Sequence, residues 1–141
     1  CPVGGGGLLS GTALAVKALH PSIRVIGAEP AQADDAAASF QAGQIVARPA
    51  NTIADGLRTL LGSRNFPIIQ RQVDAIWTVS EAGIIAAMRS LWETAKIVVE
   101  PSGAVPLGVI REHPAMFAGQ RVGVILSGGN VDLDALPWVS R

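Results

Sequence analysis

The chain has 141 residues, of which 49% are hydrophobic and only 16% are charged. This composition excludes a disordered chain, which needs low hydrophobicity and high net charge, and the length suffices for one domain at most, taking roughly 100–200 residues per domain. Eleven basic and eleven acidic residues cancel. Because no basic run is present, nothing indicates binding to nucleic acid or to a membrane surface.

The single cysteine indicates the cellular compartment of the protein, and the first residues indicate whether the chain is a whole domain. Cys1 is the only cysteine, so it has no partner for an internal disulfide, and we expect a reducing, cytoplasmic location. No apolar stretch approaches the ~18 residues of a membrane-spanning helix. The opening Cys1-Pro2-Val3 resembles the end of a core strand. We therefore expect residues 1–141 to form a single partial domain of a longer polypeptide.

Helices and strands are predicted to alternate along the chain. Apolar residues spaced three and four apart predict helices, and short apolar runs predict strands. In chain order, the predicted elements are helix 8–19, strand 24–29, helix 34–40, a crossing loop over 44–64, helix 68–73, strand 75–79, helix 80–95, helix 104–112 and strand 120–126. The last strand is almost continuously apolar, as expected for burial on both faces. The alternation predicts an α/β fold with an open, mostly parallel sheet and helices on both faces.

Three glycine-rich or polar features follow predicted strands. They are the glycines at 4–7, Glu29 with Asp34 and Asp35, and the turn at 127–130. In an open parallel sheet, ligands bind where the carboxyl ends of the strands meet. We therefore expect the three features to lie near one ligand site.

The run of four glycines favours phosphate binding. Glycines leave backbone N–H groups unhindered, and here they precede a helix whose positive end attracts an anion. A Walker loop needs Gly-Lys-Ser/Thr, which is absent from this sequence. A dinucleotide site is an alternative, because Gly5, Gly7 and Gly11 approximate the glycine fingerprint and Glu29 follows about 20 residues later.

Ser127 is interpreted as a residue that binds a ring. A hydrolase nucleophile would need a histidine base, and the two histidines, His20 and His113, precede prolines at helix ends that are expected to face solvent. Without such a base, the Ser127 hydroxyl is suited to hydrogen bonding with a bound heterocycle. This interpretation favours a ligand that carries both a phosphate and a ring.

Five sequence motifs together resemble the serine racemase and serine/threonine dehydratase family, which are pyridoxal-phosphate (PLP) enzymes of fold type II. The motifs are VGGGGL at 3–8, AEP with ADD at 28–35, TIADG at 52–56, EPSGA at 100–104 and LSGGNVDL at 126–133. The resemblance covers the whole chain. It implies the larger part of the PLP-binding large domain, without its N-terminal part and without the small domain.

The resemblance also assigns cofactor-binding residues. Gly4, Gly5, Gly6 and Gly7, with the N–H of Leu8, would hold the PLP phosphate, Gly56 would pass near the cofactor, and Ser127 would share a hydrogen bond with the pyridine nitrogen. A hydroxyl cannot protonate that nitrogen as an aspartate would. The ring is then a weaker electron sink, which suits removal of the α-proton followed by rapid loss of a β-hydroxyl.

A divalent-cation site is implied at Glu29, the carbonyl of Ala33, and Asp35. Two carboxylates and a carbonyl are hard oxygen ligands, which favour Mg²⁺ or Ca²⁺ over zinc. The alternative is a solvated helix start whose acidic residues interact favourably with the helix dipole. Lys96 and Asn130 match positions that contact a nucleotide effector in animal serine racemases, although each also has an ordinary structural explanation.

The implied activity is that of an ammonia-lyase or racemase acting on L-serine, L-threonine or 3-hydroxyaspartate, with 2-oxo acid and ammonia as lyase products. The family's Schiff-base lysine lies in a segment before the glycines, and Lys17 and Lys96 lack its context. We therefore assign no catalytic residue here and expect the isolated chain to be inactive, with a homodimer as the full-length form. Two alternatives are a dinucleotide-binding oxidoreductase and a noncatalytic phosphate-ligand-binding domain.

Overall fold

A computed structural model describes residues 1–139, and a short parallel sheet lies at its centre. Strands β1 (Ile26–Pro30) and β2 (Ala75–Val79) pair in parallel, with Ile26 opposite Ala75 and Pro30 opposite Val79. The N-terminal residues lie along the other side of β1, where the Val3 N–H donates to the Ala28 carbonyl over 2.9 Å. The sheet prediction is confirmed for these two strands.

In the described part of the chain, six α-helices connect and cover the sheet. They are α1 (Gly7–Leu19), α2 (Asp35–Ala42), α3 (Phe66–Gln72), α4 (Glu81–Ser90), α5 (Pro101–Glu112) and the short α6 (Pro114–Phe117). One 3₁₀ turn covers Asp55–Leu57, a π-helical turn covers Leu91–Ala95, and a second 3₁₀ turn covers Leu133–Ala135. Within residues 1–139, no helix has the length and apolar character needed to cross a membrane.

Buried side chains form a core on each side of the sheet. Leu9 of α1 and Ile69 of α3 are fully buried on one side, together with Ile76 of β2. Ile84 of α4 and Val105 of α5 are fully buried on the other. The predicted α/β arrangement, with helices on both faces of a parallel sheet, is confirmed.

The predicted strand at 120–126 is wrong. These residues form no strand, and each is exposed or half-buried. An apolar run becomes a strand only where a neighbouring strand supplies hydrogen-bond partners. Among the described residues, β1 already lies between β2 and the residues around Pro2, and no strand pairs with 120–126.

The largest differences between predicted and observed helix boundaries are the end of α4 and the start of α5. The helix predicted over 80–95 is α-helical to Ser90 and then makes one π turn, which ends at Lys96 with a left-handed φ of 59°. Helix α5 begins at Pro101 rather than at 104. Proline is favoured in the first turn of a helix because its missing N–H would have no partner there.

Candidate active site

A cavity of about 220 Å³ opens where the glycine loop enters α1, and Glu29, Asp34 and Asp35, which were expected near the same site, do not line it. Every residue predicted to bind the cofactor lines this cavity: Gly4, Gly5, Gly6, Gly7, Leu8, Gly56 and Ser127. Pro2, Leu57, Glu100 and Ser102 complete the lining. The structure therefore brings together the glycine loop, Gly56 and Ser127, which are more than 40 residues apart in the sequence.

The glycine loop, residues 4–7, leads directly into α1. Gly6 occupies the N-cap position with φ of 86°, a left-handed conformation that favours glycine. A β-carbon at Gly6 would lie 2.8 Å from Leu61 Cδ1 and 2.9 Å from Ile69 Cδ1, so a larger residue would not fit.

The electrostatics of the loop suit an anion. No side chain caps the start of α1, and its first turn contains no acidic residue. The first N–H groups of a helix lack partners within the helix, and the helix dipole adds positive potential at this end. These properties fit the phosphate of the implied cofactor.

The Gly56 turn forms the second part of the cavity. The Gly56 N–H lies 3.1 Å from Ser102 Oγ of α5 and 2.9 Å from the Asp55 carboxylate. Upstream, the Ile53 N–H donates to Glu81 Oε2 over 2.8 Å. These bonds attach the loop between α2 and α3 to the starts of α4 and α5.

The Ser127 turn, residues 127–130, lies against the start of α5. The Asn130 N–H donates to Glu100 Oε2 over 2.8 Å, and the Glu100 N–H reaches the Gly128 carbonyl at 3.3 Å. Gly128 has φ of 81°, and a β-carbon there would collide with the Glu100 carboxylate. Helix α5 thus positions the turn that carries Ser127.

The predicted metal-ligating residues lie where β1 joins α2. Glu29 is only 1% exposed, and its two carboxylate oxygens accept the N–H groups of Ala36 and Ala37 at 2.9 and 2.8 Å. Asp35 is also buried and accepts the Leu61 N–H over 2.7 Å. Ala33 lies in the turn between them, where its N–H donates to the Pro30 carbonyl.

Burial affects the protonation of both acids. It raises the pKa of Glu29 to about 8, although the N–H groups of Ala37 and Ala36 partly offset this by stabilising the carboxylate. Burial also raises the pKa of Asp35. Neither acid takes part in any ion pair among residues 1–139. Glu29, Asp35 and the Ala33 carbonyl are oxygen ligands of the kind that Mg²⁺ and Ca²⁺ prefer, but no group of three or more acidic, histidine or cysteine side chains comes together among residues 1–139.

The lysines and histidines lie outside the cavity lining. Lys17 Nζ pairs with Asp74 at 2.8 Å, and Lys96 Nζ donates to the Glu93 carbonyl over 2.8 Å. His20 is exposed as expected, but the same expectation is wrong for His113. That residue is half-buried because its ring packs 5.1 Å from the Trp77 ring and its Nε2 lies 3.0 Å from the Thr78 carbonyl.

Sequence reasoning assigned no role to three residues that shape the site. Glu100 and Ser102 lie in the EPSGA motif but line the cavity themselves, and Asn65 contacts the glycine loop from behind. Glu100 and Ser102 could have been found from the sequence, because each is a polar residue next to Pro101, the first residue of α5. The sequence near Asn65 contains no comparable signal.

Comparison with known proteins identifies the family. Residues 1–128 match the model of the family described as pyridoxal-phosphate dependent enzyme. Since this match covers most of the 141 residues, the chain belongs to the pyridoxal-phosphate-dependent enzyme family. This assignment confirms the resemblance and contradicts the dinucleotide-binding alternative.

Individual relatives agree with the family assignment. The chain is 53% identical to a beta-hydroxyaspartate dehydratase of Paracoccus denitrificans over 97% of this chain and 44% of that protein. It is 49% identical to a serine racemase of Arabidopsis thaliana, covering 99% of this chain and 44% of the relative. The structure of maize serine racemase superimposes with a TM-score of 0.89 at 48% identity, over 94% of this chain and 42% of that one. The chain therefore spans less than half the length of the relatives it matches.

Proposed function

We propose that the full-length protein is a PLP-dependent lyase or racemase that acts on small β-hydroxy amino acids, namely serine, threonine or 3-hydroxyaspartate. The observation that carries this proposal is the convergence of the glycine loop, Gly56 and Ser127 on one cavity. Relatives at 53% and 49% identity are a beta-hydroxyaspartate dehydratase and a serine racemase, which supports this substrate class. In this proposal, residues 1–141 are the C-terminal portion of the large, PLP-binding domain.

Each segment has a defined task in the proposed site. The N–H groups of the glycine loop and of Leu8 bind the cofactor phosphate, because they stand at the positive end of α1. The cavity is polar near Glu100, Ser102 and Ser127, where the ring would lie. When bound, PLP supplies an electron-withdrawing ring that acidifies the α-proton of an amino acid.

Ser127 sets the electronic character of the ring. Its neutral hydroxyl orients the pyridine nitrogen by a hydrogen bond but adds no negative charge beside it. Ser127 would thus leave bound PLP a moderate electron sink, which would suit a substrate whose β-hydroxyl is lost readily once the α-proton is removed. A 2-oxo acid and ammonia are the expected products, and racemisation of serine accompanies the lyase reaction.

The metal, assembly and location belong to the same proposal. A divalent cation, Mg²⁺ or Ca²⁺, binds to Glu29, the Ala33 carbonyl and Asp35, which supports the turn between β1 and α2. The full-length protein is proposed to be cytoplasmic, because Cys1 is the only cysteine of this chain, and a homodimer, on the basis of the family resemblance. Size-exclusion chromatography with light scattering measures the assembly directly.

The test of the function uses the natural full-length protein with added PLP. Production of 2-oxo acid and ammonia is measured with L-serine, L-threonine and 3-hydroxyaspartate, and D-serine is measured after incubation with L-serine. We expect turnover of at least one substrate and a changed absorption spectrum of bound PLP in Ser127→Ala. Ser63→Ala replaces an exposed serine outside the cavity and should leave the spectrum unchanged. A wild-type protein that binds no PLP contradicts the proposal.

A further inference from the structure

Asn65 lies behind the glycine loop, on the side away from the cavity. It does not line the cavity, whereas Gly4 to Leu8 all do. Its Nδ2 donates to the Gly5 carbonyl over 2.6 Å, and the Gly62 N–H donates to the same oxygen over 3.0 Å. Two donors from the segment before α3 therefore fix the direction of the Gly5 carbonyl.

The orientation of the Asn65 amide is itself determined by its neighbours. Ser10 Oγ lies 3.3 Å from Asn65 Oδ1 and 3.1 Å from the Gly7 carbonyl. Because a carbonyl only accepts hydrogen bonds, the amide must direct its NH₂ group to Gly5 and its oxygen to Ser10. Asparagine at the start of a helix usually caps that helix. Here Asn65 occupies the N-cap of α3 but makes no side-chain cap bond.

The direction of the Gly5 carbonyl decides where the next N–H points. The peptide between Gly5 and Gly6 is trans, and in a trans peptide the C=O and the following N–H point in opposite directions. Since the carbonyl points back at Asn65, the Gly6 N–H points to the cavity side. That N–H belongs to the N-cap residue of α1, at the positive end of the helix.

We infer that Asn65 is a positioning residue for phosphate: it holds the Gly5–Gly6 peptide so that the Gly6 N–H faces the cofactor phosphate. The inference rests on the proposed function, because it takes the glycine loop as the phosphate site. Asn65 touches no ligand in this arrangement. It acts through the backbone of the loop, and it reduces the cost of ordering that backbone when the anion binds.

The experiment compares two ligands that differ only in the phosphate. Dissociation constants of PLP and of pyridoxal are measured for the full-length protein by fluorescence titration. Asn65→Asp keeps the shape of the side chain, removes the donor and places negative charge behind the loop. We expect the preference for PLP over pyridoxal to fall about tenfold, the effect of losing one hydrogen bond near a charged ligand.

Gln70→Glu is the matched control. Gln70 lies on the same helix, and its Nε2 donates to the Phe40 carbonyl over 2.8 Å, outside the cavity. This variant makes the same amide-to-carboxylate change, and we expect it to keep the PLP preference within twofold even if its thermal stability falls. The value of kcat at saturating PLP should also stay close to that of wild type in Gln70→Glu, because Gln70 does not line the cavity.

The outcomes separate this inference from the proposed function. An unchanged PLP preference in folded Asn65→Asp overturns the role of Asn65 while leaving the function intact. If Asn65→Asp does not fold, Ser10→Ala releases the amide oxygen and should lower the preference about threefold; an unchanged preference there overturns the inference as well. Absence of PLP binding by the wild type overturns both.

Discussion

The glycine loop and the Ser127 turn lie on two sides of the cavity and are held in place in different ways. The glycine loop joins a strand-like segment bonded to β1 and a helix packed on the buried core around Leu9 and Ile69. The Ser127 turn follows residues 120–126, which form no strand and are half-buried at most. Hydrogen bonds with Glu100, just before α5, and close packing against Gly103 of α5 hold it near the cavity. An extensive core therefore positions the glycine loop, whereas a few contacts at one helix start position Ser127.

The largest expected effect comes from a substitution at Gly103, which would displace the turn that carries Ser127. Gly103 is buried in α5, and a β-carbon there would collide with the Ser127 carbonyl and lie 2.6 Å from Val99 Cγ2. We expect Gly103→Ala to lower the free energy of unfolding by about 1–3 kcal/mol, the usual cost of overpacking. PLP binding should also weaken, because the turn that carries Ser127 must move. Urea unfolding and PLP titration of the full-length protein measure the two effects.

Gly11→Ala is the control for this substitution. Gly11 lies in the interior of α1, is exposed, and has open space where a β-carbon would be placed. Alanine is favoured over glycine in a helix by about 0.5–1 kcal/mol. We therefore expect unchanged or increased stability and unchanged PLP affinity. If Gly103→Ala and Gly11→Ala lost stability and PLP affinity equally, the contact between Gly103 and Ser127 would have no special role.

An effect of similar size is expected from Mg²⁺ on the glycine-loop side. If the cation binds at Glu29, Ala33 and Asp35, a concentration of 100 times its dissociation constant stabilises the protein by about 2.7 kcal/mol. The thermal midpoint should then rise by several degrees, as measured by differential scanning fluorimetry of the chelator-treated full-length protein. A wild-type midpoint that does not respond to Mg²⁺ or Ca²⁺ contradicts the metal proposal.

The neighbouring acid provides a matched pair of variants for this test. Asp35→Ala removes a buried carboxylate and should abolish the response to Mg²⁺. Asp34→Ala removes a partly exposed acid, 3.9 Å from Arg48, that is not among the proposed ligands. We expect this variant to keep the full Mg²⁺ response. Loss of the response in both variants would indicate general charge attraction at the start of α2 instead of a defined site.

The presence or absence of a partner strand explains which strands could be predicted from the sequence. Strand β2 was predicted at its observed bounds because its apolar residues lie between clear turn and helix signals, and it pairs with β1 inside this chain. The run at 120–126 has an equally strong apolar pattern but no neighbouring strand among the described residues. A local apolar pattern shows that a segment favours the strand conformation. A strand forms only where a neighbouring strand also supplies hydrogen-bond partners.

The site could be predicted only in part, for a related reason. The glycine loop and Ser127 follow apolar runs and belong to recognisable motifs, so the sequence alone indicated them. Asn65 bonds to Gly5 across 60 positions, and Glu100 bonds to Asn130 across 30. Such contacts depend on how α3 and α5 pack against the loops, and a single sequence does not encode that packing as a local pattern.

The smallest expected effect concerns a surface contact on the glycine-loop side. Asp74 Oδ2 accepts hydrogen bonds from Lys17 Nζ at 2.8 Å and from the Val25 N–H at 2.7 Å, which links α1 to the starts of β1 and β2. Partial burial raises the pKa of Asp74, but the bonds from Lys17 and Val25 outweigh it, so the pKa lies below its usual 3.8. The contact therefore stabilises the fold above pH 3.8 and loses its effect as the pH falls through the lowered pKa.

We expect Asp74→Asn to lower the free energy of unfolding at pH 7 by about 0.5–1 kcal/mol, since the pair is partly solvated. The difference from wild type should shrink as the pH falls below 3.8, when the wild-type carboxylate becomes protonated too. Glu93→Gln removes the more exposed pair with Arg89, at 2.7 Å within one helix, and should cost only about 0.3–0.5 kcal/mol. Urea unfolding across the pH series measures both. If the Asp74 variant differed from wild type equally at every pH, the ionised carboxylate would not be the source of the stability, and packing around β1 and β2 alone would account for it.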